Sequence, residues 1–321
     1  MKILANDGIS KNGIATLEEA GFEVITTKVA QEQVANYVNK NDISVLLVRS
    51  ATKVRAAIID ACPGLKIIGR GGVGMDNIDV EYAKSKGIQV INTPASSSES
   101  VAELVFAHLL TGVRFLHDSN RNMPLEGDTN FNGLKKAYAN GIELRGKTLG
   151  IIGMGRIGKA AAKIAIGLGM KVIYSDTDVP TKDIKVSFFD GQSISISLSS
   201  QSLESLFEES DFISLHVPAQ DDYVIGEKEL EMMKDGVGIV NCARGGAIDE
   251  VALVSALDSG KVSFAGLDVF ESEPNPEIAI LMNPKISLTP HIGASTEEAQ
   301  DRIGVELAHQ IINLVKKSVV K

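Results

Sequence analysis

The chain has 321 residues, 44% hydrophobic and 23% charged, which suits two globular cores and excludes a fibrous or disordered polypeptide. Its 32 Lys and Arg against 41 Asp and Glu give a formal charge of -9, which disfavours a general nucleic-acid surface while leaving room for a local cationic pocket. The only cysteines, Cys62 and Cys242, are too few for a disulfide scaffold, and no apolar run approaches the roughly 20 residues of a membrane span, so a cytoplasmic location with no membrane and no nucleic-acid partner is expected.

The front third alternates short strands with helices. Strands are predicted at Lys2 to Ala5, Glu23 to Thr26, Val45 to Val48, Lys66 to Gly69 and Gln89 to Ile91, with helical periodicity at Ile14 to Ala20, Gln31 to Tyr37 and Val54 to Ala61. This is a first α/β domain, expected over residues 1–97. Ser98 to His117 reads as one long helix, opened by Ser98 or Ser100 and carrying an apolar stripe of Val101, Leu104, Val105, His108 and Leu109. On that stripe His108 reads as a packed or interfacial histidine, and His117 sits near the helix end, where a cation is favourable.

A second domain is expected over residues 98–291, and residues 149 to 176 carry its chemistry. Gly153, Gly155 and Gly158 form G-x-G-x-x-G directly after the apolar run Leu149 to Ile152, ahead of a helix at Lys159 to Leu168 and a strand at Lys171 to Tyr174. In that context the first glycine allows a tight turn and the second lets a pyrophosphate approach the backbone. The third lets helix and sheet lie close, with the first-turn N–H groups aimed at the phosphates. Asp176 falls where a carboxylate accepts from an adenosine ribose and repels a 2'-phosphate, so NAD is favoured over NADP. The bland alternative is a Gly-rich turn with a solvated Asp176.

Further on come a polar β-like stretch at Ile184 to Leu198, a helix around Leu203 to Glu208, and strands at Phe212 to Leu215, Gly238 to Asn241, Phe264 to Asp268 and Ile286 to Leu288. A helix at Glu250 to Ser259 falls among them, and the alternation suits a doubly wound parallel sheet with its site at the strand C-termini. Residues 292–321, with a helix over Thr296 to Val315, are expected to return and pack on the first domain. Beyond the late strands stand Arg244, Glu273 and His291. Hydride exchange between NAD and a secondary alcohol needs a group that removes and returns the hydroxyl proton, and a histidine does both. Glu273 would hold the other ring nitrogen, and Arg244 would bind a substrate carboxylate through a planar fork. Spacing alone leaves open that His291 packs after Pro290, that Glu273 is a solvated turn acid and that Arg244 pairs with Asp249. In the first domain, Arg49 with Ser50 and Lys53, and Arg70 before Gly72, Val73 and Gly74, would offer cations and backbone donors to an anion larger than one carboxylate, a phosphate in the first instance. No His, Cys, Asp and Glu spacing suggests a metal site.

With these segments in hand, the chain resembles the D-2-hydroxyacid dehydrogenases, and among them the phosphoglycerate dehydrogenases. The resemblance rests on Val48-Arg-Ser-Ala-Thr-Lys-Val54, on the run from Gly69 to Asp79, on Asn92-Thr-Pro94 and on Ser100 to Leu104. It continues through Gly153 to Gly158, His216-Val-Pro218, Asn241 to Gly246, Leu267 to Pro274 and Thr289 to Gly293. It implies two Rossmann-like lobes, a doubly wound NAD-binding domain and a smaller flavodoxin-like substrate domain, a homodimer formed largely by the NAD-binding domains, and no metal. It places catalysis on Arg244, Glu273 and His291, cofactor contacts on Gly153, Gly155, Arg156, Ile157, Gly158, Asp176, His216, Pro218, Ala243 and Asp268, and substrate contacts on Arg49, Ser50, Lys53, Arg70, Gly72, Val73 and Gly74. The activity it implies is oxidation of 3-phospho-D-glycerate to 3-phosphohydroxypyruvate with NAD, the first step of phosphorylated L-serine biosynthesis. The alternatives are a broader glyoxylate or hydroxypyruvate reductase, or a non-catalytic NAD-sensing interaction protein. Two departures stand out: the segment after Pro218 lacks the Leu and Thr usual in relatives, and the sequence stops after the return helix, so feedback through a serine-sensing regulatory domain is expected to be absent.

Overall fold

Two all-parallel sheets, one in each of two units, order the chain. The computed structural model describes residues 1–319. One unit comprises residues 1–100 with those from 294 onward, the other residues 101–293.

The first unit runs β1 (Lys2–Ala5), α1 (Lys11–Glu19), β2 (Glu23–Ile25), a 3-10 turn (Gln31–Gln33) leading into α2 (Val34–Lys40), β3 (Ile43–Val48), α3 (Ala56–Ala61), β4 (Ile67–Arg70), α4 (Val80–Ser85) and β5 (Gln89–Asn92). Its strand order is β2-β1-β3-β4-β5, every neighbour parallel. That is the flavodoxin-like winding, with the order reversing between β1 and β3. Strand β3 is apolar at nearly every position because helices cover both faces of the sheet.

The second unit takes up α5 (Ser98–Val113) from residue 101, then α6 (Leu116–Glu126), α7 (Phe131–Ala137), β6 (Thr148–Ile152), α8 (Arg156–Gly167), β7 (Lys171–Ser175), a hairpin of β8 (Thr181–Ser187) and β9 (Ser193–Ser199), α9 (Leu203–Glu209) and β10 (Phe212–Leu215). It continues through α10 (Glu227–Met232), β11 (Val237–Asn241), α11 (Glu250–Ser259), β12 (Val262–Leu267), α12 (Ile278–Leu281) and β13 (Ile286–Leu288). The six-stranded order is β13-β12-β11-β10-β6-β7, again parallel throughout. The reversal here lies between β6 and β10, the place where open α/β sheets bind ligands.

Three differences from the sequence expectation have physical causes. The helix expected through His117 ends at Val113, because Phe115 adopts a left-handed conformation with φ 54° and interrupts the ladder before α6. The short helices α4, α7, α10 and α12 span four to seven residues, less than two turns, and so display no apolar period. The polar stretch after β7 is an antiparallel hairpin whose Ile184, Val186 and Leu198 turn toward the core while its serines face out.

The last helix, α13 (Glu297–Val319), packs against α1 and buries Ala308 and Ile311 with Ile3, Ala5 and Leu17. Contact between the two helices is backbone to backbone: a Cβ on Gly13 would lie 2.8 Å from the carbonyl carbon of Gly304. Gly13→Ala is therefore expected to force α1 and α13 apart and lower unfolding stability by about 1–3 kcal/mol, despite alanine's better helix propensity. Gly167→Ala, at a helical site with nothing within 4 Å, is expected to be neutral or stabilising. Denaturant titration of both variants reads the contrast, and equal stability for the two would contradict the close packing.

Candidate active site

The turn from β6 into α8 is built so that only glycine fits twice. Gly153 has φ 94°, and a Cβ there would lie 2.6 Å from the His216 carbonyl at the end of β10; a Cβ on Gly158 would lie 2.1 Å from the Gly153 carbonyl. Gly155, by contrast, is the N-cap of α8, has open space where a Cβ would go, and leaves the helix without a side-chain cap. The first-turn N–H groups of α8, at Arg156, Ile157 and beyond, thus retain donor capacity beside an uncluttered backbone, the arrangement that receives a pyrophosphate. Asp176, just past β7, braces this turn: its Oδ2 accepts from Met154 N at 2.7 Å and its Oδ1 from Asp178 N at 2.9 Å. Each oxygen keeps a second lone pair for ribose hydroxyls. Donor set, open backbone and acid fit an NAD-type dinucleotide, which when bound supplies or accepts a hydride.

Across the reversal point, His216 follows β10. Its Nε2 meets Ser214 Oγ at 2.9 Å, its Nδ1 is sealed from solvent with no protein partner, and burial pushes the imidazole down to about 4, so the ring is neutral near pH 7. Pro218 is exposed in the following loop.

The remaining polar residues stand past β11, β12 and β13. Arg244 is presented by a small knot: Asn241 Nδ2 donates to the Arg244 carbonyl at 2.9 Å, Ala243 N donates to Asn241 Oδ1 at 3.0 Å, and Arg244 Nη1 donates to the Ala243 carbonyl at 2.6 Å. Asp249 accepts from Val251 N and Ala252 N as the N-cap of α11. Glu273 Oε2 meets His291 Nδ1 at 2.9 Å, and its Oε1 accepts from Phe270 N at 3.1 Å. Burial alone would raise the Glu273 carboxyl, but the hydrogen bond and charge of His291, the Phe270 amide and the field of Arg244 together hold it below the ordinary glutamate value. His291 itself is in the left-handed region, φ 54°, a strained conformation for a residue with a Cβ.

What holds that strain is Asp268, 1% exposed at the end of β12. Its Oδ1 accepts from Thr289 Oγ1 at 2.6 Å and Ile292 N at 2.8 Å, and its Oδ2 from Gly293 N at 2.8 Å. The carboxylate is committed to the segment that carries His291. The motifs contain Asn241, Asp268 and Thr289 but give the first and last no role and make Asp268 a cofactor contact; the bracing of Arg244 by Asn241 and of the His291 turn by Asp268 and Thr289 appears only in the fold.

Within the other unit, Arg49 and Arg70 end β3 and β4 and flank the same glycine backbone. A Cβ on Gly71 would meet Arg49 Cγ at 3.5 Å, and one on Gly72 would meet Arg70 Nη1 at 1.9 Å, so the Arg70 guanidinium lies over Gly72. Asn92 Nδ2 donates to the Val73 carbonyl and Thr93 N to the Gly72 carbonyl, fixing the loop that leads to Gly74. Asp7, past β1, accepts from Arg49 N at 2.6 Å and Thr52 N at 3.1 Å, while Asn77 donates to the carbonyls of both residues. Ser50 is exposed, and Lys53 is exposed with its backbone paired to Gln31. Among the described residues no group of three or more His, Cys, Asp or Glu could hold a metal, and no helix is long and apolar enough to cross a membrane.

Comparison with known proteins bears on this geometry. Residues 106–293 match the model of the D-isomer specific 2-hydroxyacid dehydrogenase NAD binding domain. The chain is 44% identical over 316 residues to a hydroxypyruvate reductase of Thermotoga maritima, covering 97% of each. It is 41% identical over 318 residues to a D-3-phosphoglycerate dehydrogenase of Methanocaldococcus jannaschii, covering 98% of this chain but 58% of that protein's length. A solved glyoxylate reductase from Paecilomyes thermophila superposes with a TM-score of 0.81 at 30% identity, over 99% of this chain and 95% of that one.

The coupling of Glu273 to His291 sets a sign. A carboxyl lowered in the folded state adds stability that is present above its unfolded value, 4.5, and is lost as pH falls through the lower folded one. His291→Ala removes the leading favourable partner, so the Glu273 carboxyl is expected to titrate at higher pH than in the unaltered chain, read by carboxyl-carbon NMR. An unchanged titration would mean that the pair does not couple.

Proposed function

Since the chain belongs to the D-isomer-specific 2-hydroxyacid dehydrogenase family and its second unit is an NAD-binding domain, we propose that it reduces small 2-oxo acids, hydroxypyruvate and glyoxylate foremost, to their D-2-hydroxy acids with NADH, and runs the reverse with NAD. The observation that carries the reading is the His291 to Glu273 hydrogen bond at 2.9 Å with the charge of Arg244 bearing on the same carboxylate. His291 gives a proton to the substrate's carbonyl oxygen as the alcohol forms, and takes it back in the oxidative direction. Glu273 fixes the ring tautomer through Nδ1 and stabilises the imidazolium. Arg244 binds the substrate carboxylate and polarises the carbonyl. Ala243, by accepting from Arg244 Nη1, orients that guanidinium.

Substrate rank follows similarity: the relative matched along 97% of both chains is named a hydroxypyruvate reductase. The second reading, 3-phospho-D-glycerate oxidation as the entry to phosphorylated serine synthesis, draws support from Arg49 and Arg70 on either side of Gly71 and Gly72, and from the relative in Methanocaldococcus jannaschii. In that reading Arg49, Ser50, Lys53 and Arg70 hold a phosphate while Gly72, Val73 and Gly74 offer backbone donors to the carboxylate end. The exposed apolar side chains Leu116, Met123, Leu125 and Phe131 of α6 and α7 support a homodimer through the NAD-binding unit.

A panel of hydroxypyruvate, glyoxylate, pyruvate and phosphohydroxypyruvate, each reduced with NADH, ranks the two readings. Hydroxypyruvate is expected to match or exceed phosphohydroxypyruvate in kcat/KM, with Arg49→Ala changing the unphosphorylated substrates by less than roughly threefold. A preference of roughly tenfold or more for phosphohydroxypyruvate, abolished by Arg49→Ala, moves the assignment to the second reading. NADPH is expected to serve poorly because Asp176 repels a 2'-phosphate. No NADH consumption with any member of the panel would refute both.

A further inference from the structure

Beyond the buried serines of its first turn, Ser98 and Ser100, helix α5 buries apolar side chains together with one ionisable group. His108 is 2% exposed and pressed against β12 so closely that a Cβ on Gly266 would lie 2.5 Å from its own Cβ. A buried imidazole is costly unless both nitrogens are satisfied. Here both are: Nδ1 meets Ser287 Oγ at 2.9 Å and Nε2 meets Thr289 Oγ1 at 3.0 Å.

The protons in this chain of contacts can be assigned by elimination. Thr289 has a single hydroxyl proton, and it is donated to Asp268 Oδ1 at 2.6 Å. Toward His108 the same oxygen can therefore only accept, so Nε2 carries the ring proton. In the neutral ring, the form that burial favours, Nδ1 is then the acceptor and Ser287 the donor. Burial lowers the pKa of the imidazole; of the charged groups facing it, Asp268 works against the shift and His117 with it. The neutral ring is thus held in one tautomer and passes a directed hydrogen bond through Thr289 to the carboxylate that fastens Ile292 N and Gly293 N.

We propose that His108 is a positioning residue for His291, acting through Thr289 and Asp268 to hold the left-handed turn on which the proton-transfer imidazole stands. This rests on the role given to His291 under the proposed function. Both Ser287 and Thr289 lie in the segment that ends in His291, so one helix residue pins the strand end and the turn together. Leucine in place of His108 would fill the volume and supply no donor. Glutamine would return an amide N–H toward Thr289.

Four variants test it: His108→Leu, His108→Gln, Thr289→Val and the double variant His108→Leu/Thr289→Val. For hydroxypyruvate reduction, His108→Leu is expected to lower kcat roughly tenfold with NADH affinity within about twofold of the unaltered chain, because a small misplacement of the proton donor costs turnover rather than cofactor binding. His108→Gln should recover most of that loss, and the double variant should be no slower than Thr289→Val alone. Long-range nitrogen NMR of the unaltered chain, which needs no variant to fold, should find the neutral His108 ring as the Nε2–H tautomer, with its titration displaced below the ordinary imidazole range. A neutral ring in the Nδ1–H tautomer, equal losses for the leucine and glutamine variants, or additive losses in the double variant would overturn the proposal. Coupling seen in unfolding free energy but absent from kcat would also overturn it, leaving the function of the chain untouched. No turnover by the unaltered chain would instead sink the dehydrogenase reading, and this proposal with it.

Discussion

The constraint on which the site depends is the burial of one carboxylate. Asp268 sits at the end of β12 with 1% of its surface exposed, in a place where an unpaired charge could not persist. It is tolerated because three donors converge on it, one hydroxyl and two backbone N–H groups, all from residues 289–293. Charge-assisted hydrogen bonds of this kind contribute about 1.5–3 kcal/mol each, enough to hold a residue with φ 54° against a strain of order 1–3 kcal/mol. The strained residue is His291. Its imidazole is therefore set by the backbone first and by Glu273 second, and a loosened Asp268 would release both.

Topology explains why so few residues suffice. In a doubly wound parallel sheet every strand points its C-terminus the same way, and the reversal of order between β6 and β10 is where such sheets open a crevice. Gly153 and His216 end those two strands and their backbones touch. Arg244, Asp268 and His291 follow β11, β12 and β13, so three successive turns deliver one guanidinium, one brace and one imidazole to the same edge. The other unit repeats the logic at its own reversal between β1 and β3, where Asp7 from one strand end grips the Arg49 amide of the other.

The parts of this arrangement legible in the sequence are those with a strict local requirement. Gly153 and Gly158 announce themselves because a Cβ at either would collide with backbone, and the long strands announce themselves by continuous apolar runs. Asp176 was readable as a carboxylate past the second strand, but its grip on Met154 N was not, since that hydrogen bond crosses 22 residues. The short helices carry too few turns to show a period, and the left-handed Phe115 that ends α5 has no side-chain signature. His108 on its apolar stripe reads as a packed or interfacial histidine. Its partners lie 179 and 181 residues away, and only the fold pairs them with it.

Whether His291, held by Glu273, moves the proton that accompanies hydride transfer can be read by mixing NADH-loaded protein with hydroxypyruvate in a stopped-flow instrument and following NADH absorbance in a single turnover. His291→Ala is expected to bind NADH within about threefold of the unaltered chain and to lose the transfer rate by roughly 10²–10⁴-fold, the usual contribution of a positioned acid–base group. A transfer rate within a few-fold of the unaltered chain, at equal NADH occupancy, would contradict that role.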